Sequence, residues 1–90
     1  MNLARNEISK IEKQQNLPNL FGLDLNGNYL KIILTLDLPK LQRIDVSENN
    51  ITKFSEQNWP QINSIHIRKN LIKKKDLPPN LKIHVTRNIY

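Results

Sequence analysis

Apolar and polar positions recur along this chain in a fixed frame. The segments "LFGLDLNGNYL" (20–30), "LQRIDVSENNI" (41–51) and "INSIHIRKNLI" (62–72) superimpose without gaps: apolar residues take the first, fourth, sixth and last places, and an asparagine takes the ninth. Their leading residues are 21 apart. Partial copies flank them, with Met1, Leu3, Asn6 and Ile8 in "MNLARNEI" and Ile83, Val85, Asn88 and Tyr90 in "KIHVTRNIY". The pairs Leu23/Leu25, Ile44/Val46, Ile65/Ile67 and Ile83/Val85 are two residues apart, and side chains at that spacing share a face only in extended chain. Each unit therefore predicts one short strand. Strands that recur in one direction with a return segment between them form a parallel sheet.

The return segments repeat as well. "NEISKIEKQQNLPNL", "NYLKIILTLDLPKL" and "NNITKFSEQNWPQI" share an apolar pair three apart, followed by Leu-Pro or Trp-Pro. Pro18, Pro39, Pro60 and Pro78 each lack an N–H and disfavour helix in the residue before them, which excludes long helices. "EISKIEKQQN" taken alone has the spacing of an amphipathic helix, but its alignment with the sister segments overrides that reading. Extended chain with short 3-10 or helical turns is expected instead, closing a core of Ile8/Ile11/Leu17, Leu30/Ile33/Leu38 and Ile51/Phe54/Trp59, with Leu20 and Leu41 in core register. The last unit, "NLIKKKDLPPNL", is shorter and places Lys75 where the others have Ile11, Ile33 and Phe54, so it is expected to be terminal or atypical.

This pattern resembles the leucine-rich repeat family, whose consensus L-x-x-L-x-L-x-x-N/C-x-L recurs in units of about 20–29 residues. The resemblance covers nearly the whole chain. It implies an α/β fold: a right-handed solenoid in a horseshoe arc, with a concave parallel sheet of about five short strands and an irregular or 3-10 convex side. It implies a single unit over 1–90, with repeats at 1–19 (partial), 20–40, 41–61, 62–79 and 80–90 (partial), either self-sufficient or a segment of a longer solenoid. The 21–22-residue spacing with an isoleucine-rich second half is most similar to the short-repeat classes of the family, extracellular innate-immunity repeats ahead of intracellular phosphatase-regulator repeats. One scaffold of this kind hosts many unrelated tasks, so function has to be read from the residues between the frame positions.

The asparagines of the frame have a structural reading. Where the chain leaves each strand, its turn buries backbone groups that no sheet partner meets, and an unpaired buried group costs about 1–3 kcal/mol. An inward amide offers both donors and an acceptor. Asn6, Asn28, Asn49, Asn70 and Asn88 are thus expected to form a ladder inside the fold.

The outward strand positions fall into columns: Gly22, Arg43, Ser64 and Lys82; Asn2, Asp24, Asp45, His66 and His84; Ala4, Asn26, Ser47, Arg68 and Thr86; and Arg5, Gly27, Glu48, Lys69 and Arg87. The middle of this face is acidic and its C-terminal end basic. Residues 1–60 carry seven Lys/Arg and seven Asp/Glu, whereas 61–90 carry seven Lys/Arg against Asp76 alone, so the whole net charge of +6 sits in the last third. His66 and His84 lie there too, so acidification adds to the same end.

Each feature has a bland counterpart. Asp24 and Asp45, one unit apart, have the geometry of a carboxylate pair for catalysis or a cation, but they also match the ordinary aspartate of the family's L-D-L-S run. His66 and His84 in one column would need further ligands to hold a metal. The run "IRKNLIKKK" (67–75) is suited to an acidic partner, nucleic acid or an anionic membrane; it equally suits the polar outer face that a final repeat requires. No aromatics are interleaved there to stack bases. Phe21, Tyr29 and Tyr90 fall outside the core register or at an end, and the first two are candidates for partner contact. Asn50-Ile51-Thr52 fits the N-glycosylation triplet, a match that an asparagine-rich chain also produces by chance.

Composition narrows the classes further. The absence of cysteine removes disulfide frameworks, thiolate metal clusters and thiol nucleophiles. No apolar run approaches the ~20 residues of a membrane span, and the N-terminal segment lacks the apolar stretch of a secretory signal. With no nucleophile–base pair, phosphate-cradling loop or metal-spaced cluster, the expected function is non-enzymatic and without cofactor: recognition of another protein through Asp24, Asn26, Arg43, Asp45, Ser47, Glu48, His66, Arg68, Lys69, Lys82, His84 and Arg87. The alternatives are a structural segment of a longer array, with self-association through its open ends, and nucleic-acid or anionic-surface binding through the basic end. The compartment is left open by the sequence.

Overall fold

The computed structural model describes residues 1–8 and 17–85, apart from the side chain of Lys74. Its elements are β1 (Gly22–Asp24), β2 (Ile32–Ile33), β3 (Arg43–Asp45), β4 (Lys53–Phe54), β5 (Ser64–His66), a 3-10 turn (Lys74–Asp76) and one four-residue helix, α1 (Pro79–Lys82). Strands β1, β3 and β5 form a parallel sheet in that order, with Leu23, Ile44 and Ile65 level with one another. This is the register that the 21-residue frame dictates. On either side the sheet continues as one isolated bridge, Asn2 to Asp24 and Ile65 to Val85.

The return path departs from the expected irregular chain. Strands β2 and β4 pair in parallel, Ile33 level with Phe54, in a second sheet of two strands. Hydrogen bonds from Asn50 N to Leu30 O (2.9 Å), Thr52 N to Lys31 O (2.9 Å) and Ser55 N to Ile33 O (2.8 Å) lengthen that pairing. β-branched and aromatic side chains at Ile32, Ile33 and Phe54 favour extended backbone here, and Ile33 and Phe54 face inward while Ile32 and Lys53 are exposed.

Between the two sheets lies one apolar core. Leu30, Ile33, Leu41, Ile44, Val46 and Ile51 are fully enclosed, and Leu38, Phe54 and Trp59 join them as the frame predicts. The Phe54 and Trp59 rings meet edge to face, centroids 6.1 Å apart at 82°. Ile8, Leu17 and Leu20 pack against this core from its margin; Ile11 lies outside the described residues. Burial of each large aliphatic side chain contributes about 1.5–3 kcal/mol, so these rows dominate the stability of the fold.

The amides do what the frame requires. Asn49 Nδ2 donates to Val46 O (2.9 Å) and Ser47 O (3.0 Å) in its own turn and to Leu25 O (3.1 Å) in the preceding one, while its Oδ1 accepts from Leu30 N (2.9 Å). Asn28 bridges in the same way to Leu25 O (2.9 Å), Leu3 O (3.0 Å) and the N–H groups of Asn6 and Ile8 (both 3.1 Å). Asn70 reaches Ile67 O (3.0 Å), Val46 O (2.9 Å) and Ile51 N (2.9 Å). At the sheet margin the Asn6 side chain repeats the bonds within its own turn, to Leu3 O (3.0 Å) and Ala4 O (3.4 Å), but it is exposed rather than enclosed as expected. Asn88 lies outside the described residues.

A second polar bridge, not anticipated from the sequence, runs through the return path. Gln57 is buried; its Nε2 donates to Leu34 O (2.6 Å) and Ser55 O (3.2 Å), and its Oε1 accepts from Leu36 N (2.8 Å). No buried side-chain nitrogen or oxygen among the described residues is left without a partner.

The C-terminal unit corrects the frame. Ile83 and Val85 were expected side by side on a fifth strand, with Lys82 and His84 facing outward between them. Instead Pro79 opens α1, whose Leu81 is 1% exposed, and Ile83 is 83% exposed. Proline fixes its own φ near the helical value and is at home in the first helical turn, and Asn70 to Asn88 spans 18 residues rather than 21. The shortened unit thus fills its core position from a helical turn.

Candidate functional site

The exposed face of the β1–β3–β5 sheet carries most of the residues marked for recognition. Its register sets Gly22, Arg43 and Ser64 in one row and Asp24, Asp45 and His66 in the next. Asn26, Ser47 and Arg68, then Gly27, Glu48 and Lys69, follow as the chains leave their strands, tied across by Gly27 N to Ser47 O (3.0 Å) and Glu48 N to Arg68 O (2.9 Å).

Two adjoining depressions open on this face. The larger, about 690 Å³, is lined by Met1, Asn2, Leu20, Phe21, Gly22, Asp24, Arg43, Asp45 and His66 among others. The smaller, about 330 Å³, is lined by Asn26, Asp45, Ser47, Glu48, His66, Arg68 and Lys69. Asp45 and His66 line both. Gly22 offers no side chain, which leaves a gap in its row beside Arg43, and the more than half-exposed Phe21 stands at the margin of the larger hollow.

The two aspartates hold their own backbone. Asp24 Oδ1 accepts from Asn26 N at 3.0 Å and Asp45 Oδ1 from Ser47 N at 2.9 Å. Asn2 repeats the bond to Ala4 N at 3.0 Å. Such local turns are what short side-chain acceptors form. One oxygen of each carboxylate is therefore structural, and both residues line the larger depression. Among the described residues no group of three or more His, Asp or Glu is placed to hold a metal.

The row Arg5, Gly27, Glu48 and Lys69 shares a further property. All four have positive φ, between 54° and 71°. Left-handed backbone costs a non-glycine residue roughly 1–2 kcal/mol, and here the chain accepts it three times to turn each asparagine inward. Gly27 has a second reason to be glycine: a Cβ there would stand 3.2 Å from Arg5 Cγ. The Arg5 side chain passes over Gly27 and brings its Nη2 to 3.9 Å from Glu48 Oε2. That is the one ion pair within 4.0 Å among the described residues, and at its exposure it contributes little. Arg43, Arg68 and Lys69 are exposed on the same face and have no such carboxylate partner among the described residues.

Not every expected residue belongs to this face. Ser47 is 4% exposed and forms floor rather than contact surface. Lys82 sits in α1, off the row of Gly22, Arg43 and Ser64. Because Val85 pairs with Ile65, His84 falls level with Ser64 and is not the column neighbour of His66, so the expected histidine pair is not formed. Arg87 and Tyr90 lie outside the described residues. Phe21, a candidate for partner contact from its place outside the core register, lines the larger depression.

No helix among the described residues is long and apolar enough to cross a membrane. Comparison of the chain with protein-family models, with curated proteins and with solved structures gave no match.

Proposed function

We propose that this chain is a leucine-rich-repeat type of solenoid acting as a non-enzymatic recognition module, with the β1–β3–β5 face as the surface that meets a protein partner. The observation that carries the reading is the charge arrangement on that face. Asp24, Asp45 and Glu48 stand next to Arg43, His66, Arg68 and Lys69 across two adjoining hollows, and among the described residues Arg43, Arg68 and Lys69 form no ion pair within 4.0 Å. Charges left open in this way set the register and on-rate of a complementary partner more than its raw affinity.

The test is capture of partners from an extract of the source cells, comparing the native chain with the doubly reversed R68E/K69E variant and with Asp45→Asn. The last keeps the Ser47 N acceptor while removing the charge. Loss of a specifically captured protein in both variants, at unchanged melting temperature, is the expected result. Capture that is indifferent to all three changes would overturn the assignment.

A further inference from the structure

The two asparagines of "ENNIT" point in opposite directions. Asn49 is enclosed by the ladder, whereas Asn50 is exposed, as is Thr52 two residues on, with buried Ile51 between them. Residues i and i+2 of extended chain share a side, so the Asn50 amide and the Thr52 hydroxyl are presented together to solvent. Asn50 spends its backbone N–H on Leu30 O (2.9 Å) and the Thr52 hydroxyl makes only a long bond to Lys31 O (3.4 Å).

The surroundings of Asn50 are the second observation. The same frame position is Tyr29 in the unit before and Leu71 in the unit after, both more than half exposed. Backbone bonds from Asn50 N to Leu30 O and from Leu71 N to Ile51 O (3.0 Å) fix the three as neighbours in one row. Two large apolar side chains thus stand bare on either side of the exposed amide, on a row outside the two hollows. The apolar faces of a sugar ring pack on such side chains, the aromatic ring above all, while its hydroxyls remain in water.

We infer that Asn50 is an N-glycosylation site whose first sugar is seated between Tyr29 and Leu71. The N-x-Thr triplet supplies the acceptor chemistry. Asn50 Nδ2 attacks the anomeric carbon of a lipid diphosphate-linked oligosaccharide. A C–N bond forms, the C–O bond to the phosphate breaks, the lipid diphosphate leaves with the bonding pair, and one amide proton passes to a base of the transferase. Buried Asn28 and Asn49 are closed to this reaction on two counts, their enclosure and their lack of the triplet, and half-buried Asn70 lacks the triplet too.

The experiment directs the 90-residue chain into a eukaryotic secretory pathway with an added leader, then treats the secreted protein with a peptide-amide glycosidase. One glycan is expected, released with conversion of Asn50 to aspartate, absent from Asn50→Gln and Thr52→Ala and retained in Thr52→Ser. The melting temperature should fall on deglycosylation in the native sequence and not in the Y29A/L71A variant. A folded secreted chain with unmodified Asn50 would overturn the inference, as would unmodified Asn50 in the protein isolated from its natural source. A glycan whose removal shifts the native and Y29A/L71A chains equally would overturn the seat between Tyr29 and Leu71.

Discussion

At Asn49 a single side chain completes four hydrogen bonds, two of them to the preceding unit. Asn49→Ala leaves Leu30 N buried and unpaired and removes one of the two amide donors to Leu25 O, so a loss of more than ~1 kcal/mol is expected in thermal or denaturant melts. Asn49→Asp should not rescue it, because an ionised carboxylate has no hydrogen to donate. A neutral Asn49→Ala would dispose of the ladder as a stabilising device. One residue earlier the determinant is backbone conformation. Glu48→Gly relieves left-handed strain at φ 55° and is expected to be neutral or stabilising, whereas Glu48→Val at the same φ should destabilise by roughly 1–2 kcal/mol. Equal melting temperatures for the two variants would contradict that account.

The short elements follow from the frame until the return path and the last unit. Strands β1, β3 and β5 were legible because apolar residues two apart recur at one spacing, and spacing fixes register. Strands β2 and β4 were not, since Ile32-Ile33 and Lys53-Phe54 are too short to show a period of their own and are extended chiefly because neighbouring units align them. Gln57 escaped for a related reason: its column holds Leu36 and Pro78 in the flanking units, and no repetition marks it. The register of the exposed sheet face was legible row by row from 22 to 69. The sequence frame also misled at the end, where Pro78-Pro79 and three missing residues replace a strand with α1.

That correction makes a sharp contrast measurable. Leu81→Ala should cost about 2–5 kcal/mol as a core truncation, and Ile83→Ala should lie within about ±0.5 kcal/mol as a surface change. Chemical denaturation of the two variants decides between the helical turn and the expected fifth strand, because the strand demands the opposite order.

At the scale of the whole molecule, one core and a 21-residue step tie together the units that carry β1, β3 and β5. Stability in such an arrangement is roughly a sum of units and of interfaces between them. Inserting a second copy of 41–61 after Pro60-Gln61 should therefore preserve cooperative unfolding and raise the melting temperature. A single alanine inserted between Ile44 and Asp45 should abolish cooperative unfolding, since a one-residue slip turns inward side chains outward. Circular dichroism melts of the two insertions make the comparison, and equal tolerance would contradict the stepwise architecture.

The bridging side chains also have a direction. Asn28, Asn49, Asn70, Gln57, Trp59 and Asn80 all reach from a later unit back to backbone of the one before, as in Trp59 Nε1 to Leu36 O (3.3 Å) and Asn80 Nδ2 to Gln57 O (3.1 Å). The side-chain bridges of a unit are consequently completed by its successor, while backbone bonds such as Asn50 N to Leu30 O (2.9 Å) and Leu71 N to Ile51 O (3.0 Å) tie it to its predecessor. On a ribosome, which releases the chain from its N-terminus, each newly emerged unit would satisfy the polar groups of the one already waiting, so that synthesis and closure proceed in the same sense.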